Sequence, residues 1–139
     1  MRSPGQGPVR WRALNGTRDF QKVYEEGVKY VGRLFVLYLY PGDDLARAVV
    51  ASRKVGNAVC RNRAKRLLRE AFRQRIEAQP DRIGHLRRQH WPDRPQPEAL
   101  WLVMVARVRI LEAGCADVIA EMDRMLECPA TNGPTGSRN

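Results

Sequence analysis

The stretch RNRAKRLLREAFR, Arg61 to Arg73, sets six Arg or Lys among thirteen residues and separates them with Ala, Leu, Leu, Ala and Phe. Guanidinium groups in such density bind anions, and Arg offers the planar, bidentate donor pair that phosphate accepts. On a helical wheel counted from Asn62 at 100° per residue, Cys60, Ala64, Leu67, Leu68 and Ala71 fall between about 140° and 240°, with Phe72 at the edge near 280°. Lys65, Arg66, Arg69 and Arg73 fall within about 60° of Asn62, on the opposite side. Arg61 and Arg63 flank this face; Arg75, at about 220°, is expected where the helix leaves the core. From Arg53 to Arg75 nine Lys or Arg stand against Glu70 alone, so this segment holds +8 of the chain's net +10. A solvated helix face usually mixes signs, and like charges at i,i+4 cost a few tenths of a kcal/mol per pair. The segment is therefore read as a polyanion-binding face rather than a merely solvated one. Asn62, with donor and acceptor groups suited to a 2′-hydroxyl or a base edge, tips that reading toward RNA.

No other residues offer a catalytic constellation. His85 and His90 fall in a Pro-rich stretch, and no carboxylate pair, Cys/His pair, phosphate-binding Gly loop or metal-ligand cluster stands at a usable spacing. Asp43 and Asp44 are adjacent in PGDD, which is turn chemistry. Cys60, Cys115 and Cys128 are odd in number and far apart, which argues against a disulfide framework or a zinc site. The longest apolar runs, Leu34 to Tyr40 and Leu100 to Ala106, are too short to span a bilayer. With no apolar signal region after the N-terminal basic residues, the expected compartment is the cytoplasm.

The elements that must carry the basic face follow from pattern. The length of 139 residues suits one domain. Residues 1–16 are rich in Pro, Gly and Arg and read as a loose arm. Thr17 is the expected N-cap of a short helix with Phe20, Val23 and Tyr24 at helical spacing and Gly27 as its stop. Arg33 to Tyr40 reads as a strand covered on both faces, and Arg47 to Ser52 as its neighbour. Asn57 is the expected N-cap of the long helix, Ala58 to about Ala78. Residues 79–99, with four prolines and both histidines, read as an exposed insertion rather than packed structure. Leu100 to Val108 returns to strand character, and Val118, Ile119, Met122, Met125 and Leu126 mark one face of a last helix. Residues 129–139 read as a flexible tail, leaving 1–128 as the domain. The expected class is α+β, a small mixed sheet packed with helices in the order α-β-β-(β)-α-β-α.

The segment VVASRKVGNAVCRNRAKRLLREAFR, Val49 to Arg73, resembles the signature of the protein component of bacterial ribonuclease P, in which a strand ends in a basic turn and runs into an Arg-Asn-Arg helix. RDFQKVYEEG, FVLYLY and VMVAR are similar to that family's first helix, first strand and last strand. The family commonly opens the last strand on an acidic residue, where this chain has Trp101, and the 79–99 segment is longer than the family's.

The resemblance implies an αβ sandwich, with a left-handed crossover at the long helix, that assists a catalytic RNA in removing the 5′ leader from precursor tRNA. It implies that Arg61, Asn62, Arg63, Lys65, Arg66, Arg69 and Arg73 dock on the ribonuclease P RNA. Phe20, Tyr24, Val36 and Tyr38 would line a cleft for the leader, with Arg53 and Lys54 beside it. Mg²⁺ would be held with the RNA, no protein side chain would be catalytic, and no protein oligomer would be required. By spacing alone, Phe20 and Tyr24 serve equally as core residues, and Val36 reads as core in preference to the cleft. Two other classes fit the charge: a structural RNA binder of ribosomal type, and a DNA-binding regulator, for which no short partner helix precedes Asn57.

Overall fold

The structure, a computed structural model, describes residues 10–94 and 99–127. Five strands, β1 (Arg12–Ala13), β2 (Val28–Val31), β3 (Phe35–Tyr40), β4 (Leu45–Val50) and β5 (Leu100–Ala106), form one mixed sheet in the order β1-β4-β5-β3-β2. The pairs β1/β4 and β4/β5 are parallel, and β5/β3 and β3/β2 antiparallel. Four α-helices accompany the sheet: α1 (Thr17–Glu26), α2 (Ala58–Phe72), α3 (Asp81–His90) and α4 (Cys115–Glu127). The α+β class is as expected; the three strands between α1 and α2 include the optional one, and β1 and α3 are additions.

The alternation in FVLYLY divides the molecule, because successive strand side chains point to opposite faces. Phe35, Leu37 and Leu39 are fully buried and join Ala64, Leu68, Ala71 and Phe72 of α2 with Val118 and Met122 of α4 in the main core. Val36, Tyr38 and Tyr40 are half-buried on the other face; Tyr38 and Tyr40 pack there with Val23 and Phe20 of α1 around Trp101 and Val103. Burying each large apolar side chain stabilises by about 1.5–3 kcal/mol, so the α2–α4 face carries most of the driving force. At the end of the sheet away from the β2–β3 turn, Asp44 accepts from the Trp101 indole at 2.8 Å and pairs with Arg12 at 2.5 Å. The Arg12 hydrogen bond holds the Asp44 carboxyl below its ordinary range, so Asp44 ties β1 to β5 at this end of the sheet.

Several boundaries differ from the sequence reading. Residues 10–16 are not all loose: Leu14 is buried, and β1 adds to the edge beside β4. Gly16, with φ 94°, takes the N-cap position of α1, and Thr17 is its first residue. Gly27 does end α1, in an extended conformation; glycine is required there because a Cβ would lie 2.5 Å from the Val23 carbonyl oxygen and 2.6 Å from that of Leu39. The long helix is α-helical only to Phe72 and continues as a π turn, Arg73–Glu77, with Ile76 buried. The expected insertion at 79–99 is largely packed: α3 occupies Asp81–His90, and Ile83, Leu86 and Trp91 belong to the main core. Its apolar residues recur at a helical period that the flanking prolines obscured, and Pro80 stands where a helix start tolerates proline. Residues 1–9, 95–98 and the tail at 129–139 lie outside the described residues.

Candidate nucleic-acid interface

Asn57 starts α2 as the wheel required, its side-chain oxygen accepting from the Cys60 backbone N–H at 3.0 Å. The helix is held by its apolar stripe, in which Ala64, Leu68, Ala71 and Phe72 are buried and Leu67 and Cys60 half-buried. Its register turns Asn62, Arg66 and Arg69 to solvent, with Lys65 at the margin. Among the described residues Lys65, Arg66 and Arg69 meet no carboxylate, so their charge is free for an external anion.

The other three predicted cations are already engaged. Arg61 donates to the Gly56 carbonyl at 2.7 Å and tightens the turn that leads into α2. Arg63 reaches the Ala113 carbonyl at 3.0 Å, tying α2 to the turn before α4. Arg73 forks onto Glu70, which also accepts from Gln74 at 2.6 Å; the Arg73 and Gln74 hydrogen bonds hold the Glu70 carboxyl down at about 2. Arg75, the residue out of phase on the wheel, pairs with Asp123 of α4 at 2.9 Å. The acceptor face is therefore centred on Asn62, Lys65, Arg66 and Arg69.

The second group of predicted residues meets on the α1 side of the sheet. The Tyr24 ring lies 4.9 Å from Tyr38 at 69° and 6.0 Å from Phe20, so the three aromatics form one wall. Tyr24 stays 41% exposed, more than a core role would leave it. Partial burial, with Tyr38 as a lesser contribution, pushes its phenol above the ordinary range, so the ring is neutral at physiological pH. Lys29 places its ammonium 5.8 Å from the Tyr38 ring, a cation the sequence reading did not single out. Register carries the groove floor onward: Val31 pairs with Val36, Val36 with Val105, and Val105 with Val50. Val50 ends β4, and two residues later Arg53 and Lys54 stand exposed in a 3-10 turn at the end of this floor. Val105 and Val50 were legible in the strand alternation once the pairing was known; the pairing was not.

Among the described residues no group of three or more His, Cys, Asp or Glu could hold a metal ion, and no helix is long and apolar enough to cross a membrane. His90 is not an exposed loop histidine: its Nε2 lies 2.7 Å from the Tyr30 hydroxyl, and burial lowers its pKa. His85 is exposed on α3.

Fold and site together define a small basic αβ sandwich with a cationic helix on one side of its sheet and a partly exposed aromatic cluster on the other. Residues 10–129 match the family model described as Ribonuclease P, and the chain belongs to that family. The ribonuclease P protein component of Nitratiruptor sp. is 34% identical over 116 residues, covering 84% of this chain and 90% of the relative. That of Shouchella clausii is 48% identical over 62 residues, 42% of this chain and 51% of the relative. An RNase P protein from Thermotoga maritima shares the fold with a TM-score of 0.60 at 25% identity, over 85% of this chain and 96% of that one. One from Staphylococcus aureus gives a TM-score of 0.60 at 23% identity, over 85% and 94%.

Proposed function

We propose that the protein is the subunit of a cytoplasmic ribonuclease P holoenzyme that grips the catalytic RNA with α2 and the 5′ leader of precursor tRNA with the aromatic groove. The carrying observation is the unpaired Lys65, Arg66 and Arg69 face on a helix whose opposite side is sealed into the core. A folded RNA is held by phosphate and 2′-hydroxyl contacts, which this face and Asn62 supply. An unpaired strand is held by stacking beside positive charge, which Phe20, Tyr24 and Tyr38 supply with Lys29, Arg53 and Lys54 near.

Removal of the leader is hydrolysis of one phosphodiester bond. In this reading the chemistry, with its Mg²⁺, belongs to the RNA, as the family resemblance implies. The protein neutralises charge and positions the strand, and one protein chain suffices. Adding the purified protein to a bacterial ribonuclease P RNA at low Mg²⁺ and following leader release tests this. Stimulation is expected; its absence would return the protein to the class of structural RNA binders.

A further inference from the structure

A second cationic site stands at the β2 edge, on the α4 side of the sheet. A cavity of about 640 Å³ there is lined by Arg33, Arg107, Arg109 and Arg124, with Glu121 as its one carboxylate among the described residues. The site is built. Glu121, buried on α4, accepts from the Leu34 backbone N–H at 2.8 Å and the Phe35 N–H at 3.3 Å, which fixes the turn that carries Arg33. Arg107 secures the same turn from the other side, its backbone N–H donating to the Leu34 carbonyl at 2.9 Å and its guanidinium to that of Gly32 at 2.8 Å. Gly32 allows the approach, since a Cβ there would sit 2.2 Å from Glu121 Oε2.

Buried Ile110 anchors the 3-10 turn Val108–Glu112 and leaves Arg109 exposed on it. Arg124 lies 3.6 Å from Glu121, while Arg33 and Arg109 pair with no carboxylate among the described residues. Arg33, Arg109 and Arg124 also line an adjoining hollow with Glu112 and Asp117, where Asp117 already accepts from the Gly114 N–H at 2.9 Å. Positive charge therefore exceeds negative in the larger cavity, and the cavity is held open by hydrogen bonds that do not involve the free guanidinium groups.

We infer that Arg33, Arg109 and Arg124 form a phosphodiester-binding site for an RNA strand, separate from the α2 face. This inference rests on the proposed RNA-binding function. The strand could come from the leader, since exposed Val31 at the groove's edge also lines the cavity, or from the RNA subunit. Arg33→Gln plus Arg109→Gln removes two exposed guanidinium groups, and a thermal melt checks that the fold is kept.

If each contacts a phosphate of an unpaired strand, the slope of log affinity against log salt falls by about 1.4, and the variant's deficit shrinks about sevenfold between 50 and 200 mM salt. Two arms separate the sources: holoenzyme binding to precursor against mature tRNA, and binding of the protein alone to ribonuclease P RNA. A deficit confined to the leader-bearing substrate assigns leader phosphates, and one in the second arm assigns the RNA subunit. Unchanged slopes in both arms, while Arg66→Ala plus Arg69→Ala still lowers its slope, overturn this site alone. Unchanged slopes for both variants overturn the RNA-binding reading with it.

Discussion

Removing Arg66 and Arg69 together is expected to weaken binding to the catalytic RNA in a salt-dependent way while leaving the fold intact. Both side chains are exposed on α2 and touch no carboxylate, so neither supports the core. Surface changes of this kind usually stay within about 0.5 kcal/mol of wild-type stability. Their electrostatic effect is larger. Each phosphate contact in a duplex releases counterions worth about 0.9 in the slope of log affinity against log salt, so two lost contacts flatten the slope by about 1.8. A fourfold rise in salt, from 50 to 200 mM, then shrinks the variant's disadvantage about twelvefold. Filter binding of the protein to ribonuclease P RNA across that salt series reads this directly. Arg18→Ala plus Lys22→Ala removes the same charge from exposed positions of α1, across the sheet, and serves as the control. If the two double variants flatten the slope equally, net charge rather than the α2 face holds the RNA, and the face assignment fails.

Tyr24→Ala is expected to weaken precursor tRNA binding by the holoenzyme more than mature tRNA binding, by about 1–3 kcal/mol for one stacked base; equal losses with the two tRNAs would mark Tyr24 as packing only. Leu68→Ala, at a fully buried position of the main core, is expected to cost about 2–5 kcal/mol in denaturant unfolding. Burial lowers the folded-state pKa of His90 below its unfolded value, so the unfolded chain binds more protons in that window. Stability is therefore full above about pH 6.5 and falls as pH drops below it. Urea unfolding between pH 7.5 and 5 should show this loss, and His90→Phe should diminish it; a wild-type profile flat over that range would refute the assignment.

Much of this was legible in the sequence because α2 is amphipathic to an unusual degree: a single wheel separated Ala64, Leu68 and Ala71 from Asn62, Arg66 and Arg69, and burial follows that division. The wheel could not say which cations are spent within the fold. Arg61 and Arg63 are taken by backbone carbonyls at Gly56 and Ala113, and the second of these is 50 residues away in the chain. The 79–99 segment misled for a different reason. Proline density was read as exposure, although Ile83 and Leu86 keep a helical spacing and His90 answers Tyr30 across the core. Strand β2 corresponds to the optional strand of the expected order, and the sequence assigns it no residues because Val28–Val31 is short and gains its meaning only from pairing with β3. Val36 and Tyr38 are placed by the family resemblance, and their neighbours across the sheet, Val105 and Val103, require the register.

The stability of α2 also explains how so one-sided a face can exist without a ligand. Five like-charge pairs stand at i,i+3 or i,i+4 spacing, Arg61–Lys65, Arg63–Arg66, Lys65–Arg69, Arg66–Arg69 and Arg69–Arg73. At about 0.2–0.5 kcal/mol each they cost on the order of 1–2.5 kcal/mol at low salt. Glu70 offsets part of this by engaging Arg73. Burial of Leu68 and Phe72 contributes about 3–6 kcal/mol together, more than the repulsion removes. The helix therefore holds its charge in place before any RNA arrives. In the proposed complex, phosphates replacing its counterions would relieve the repulsion and meet a helix backbone already set in position, which lowers the ordering cost of binding. The same logic separates Arg73 from its neighbours: its charge is offset within the helix, whereas that of Arg66 and Arg69 is left for the partner.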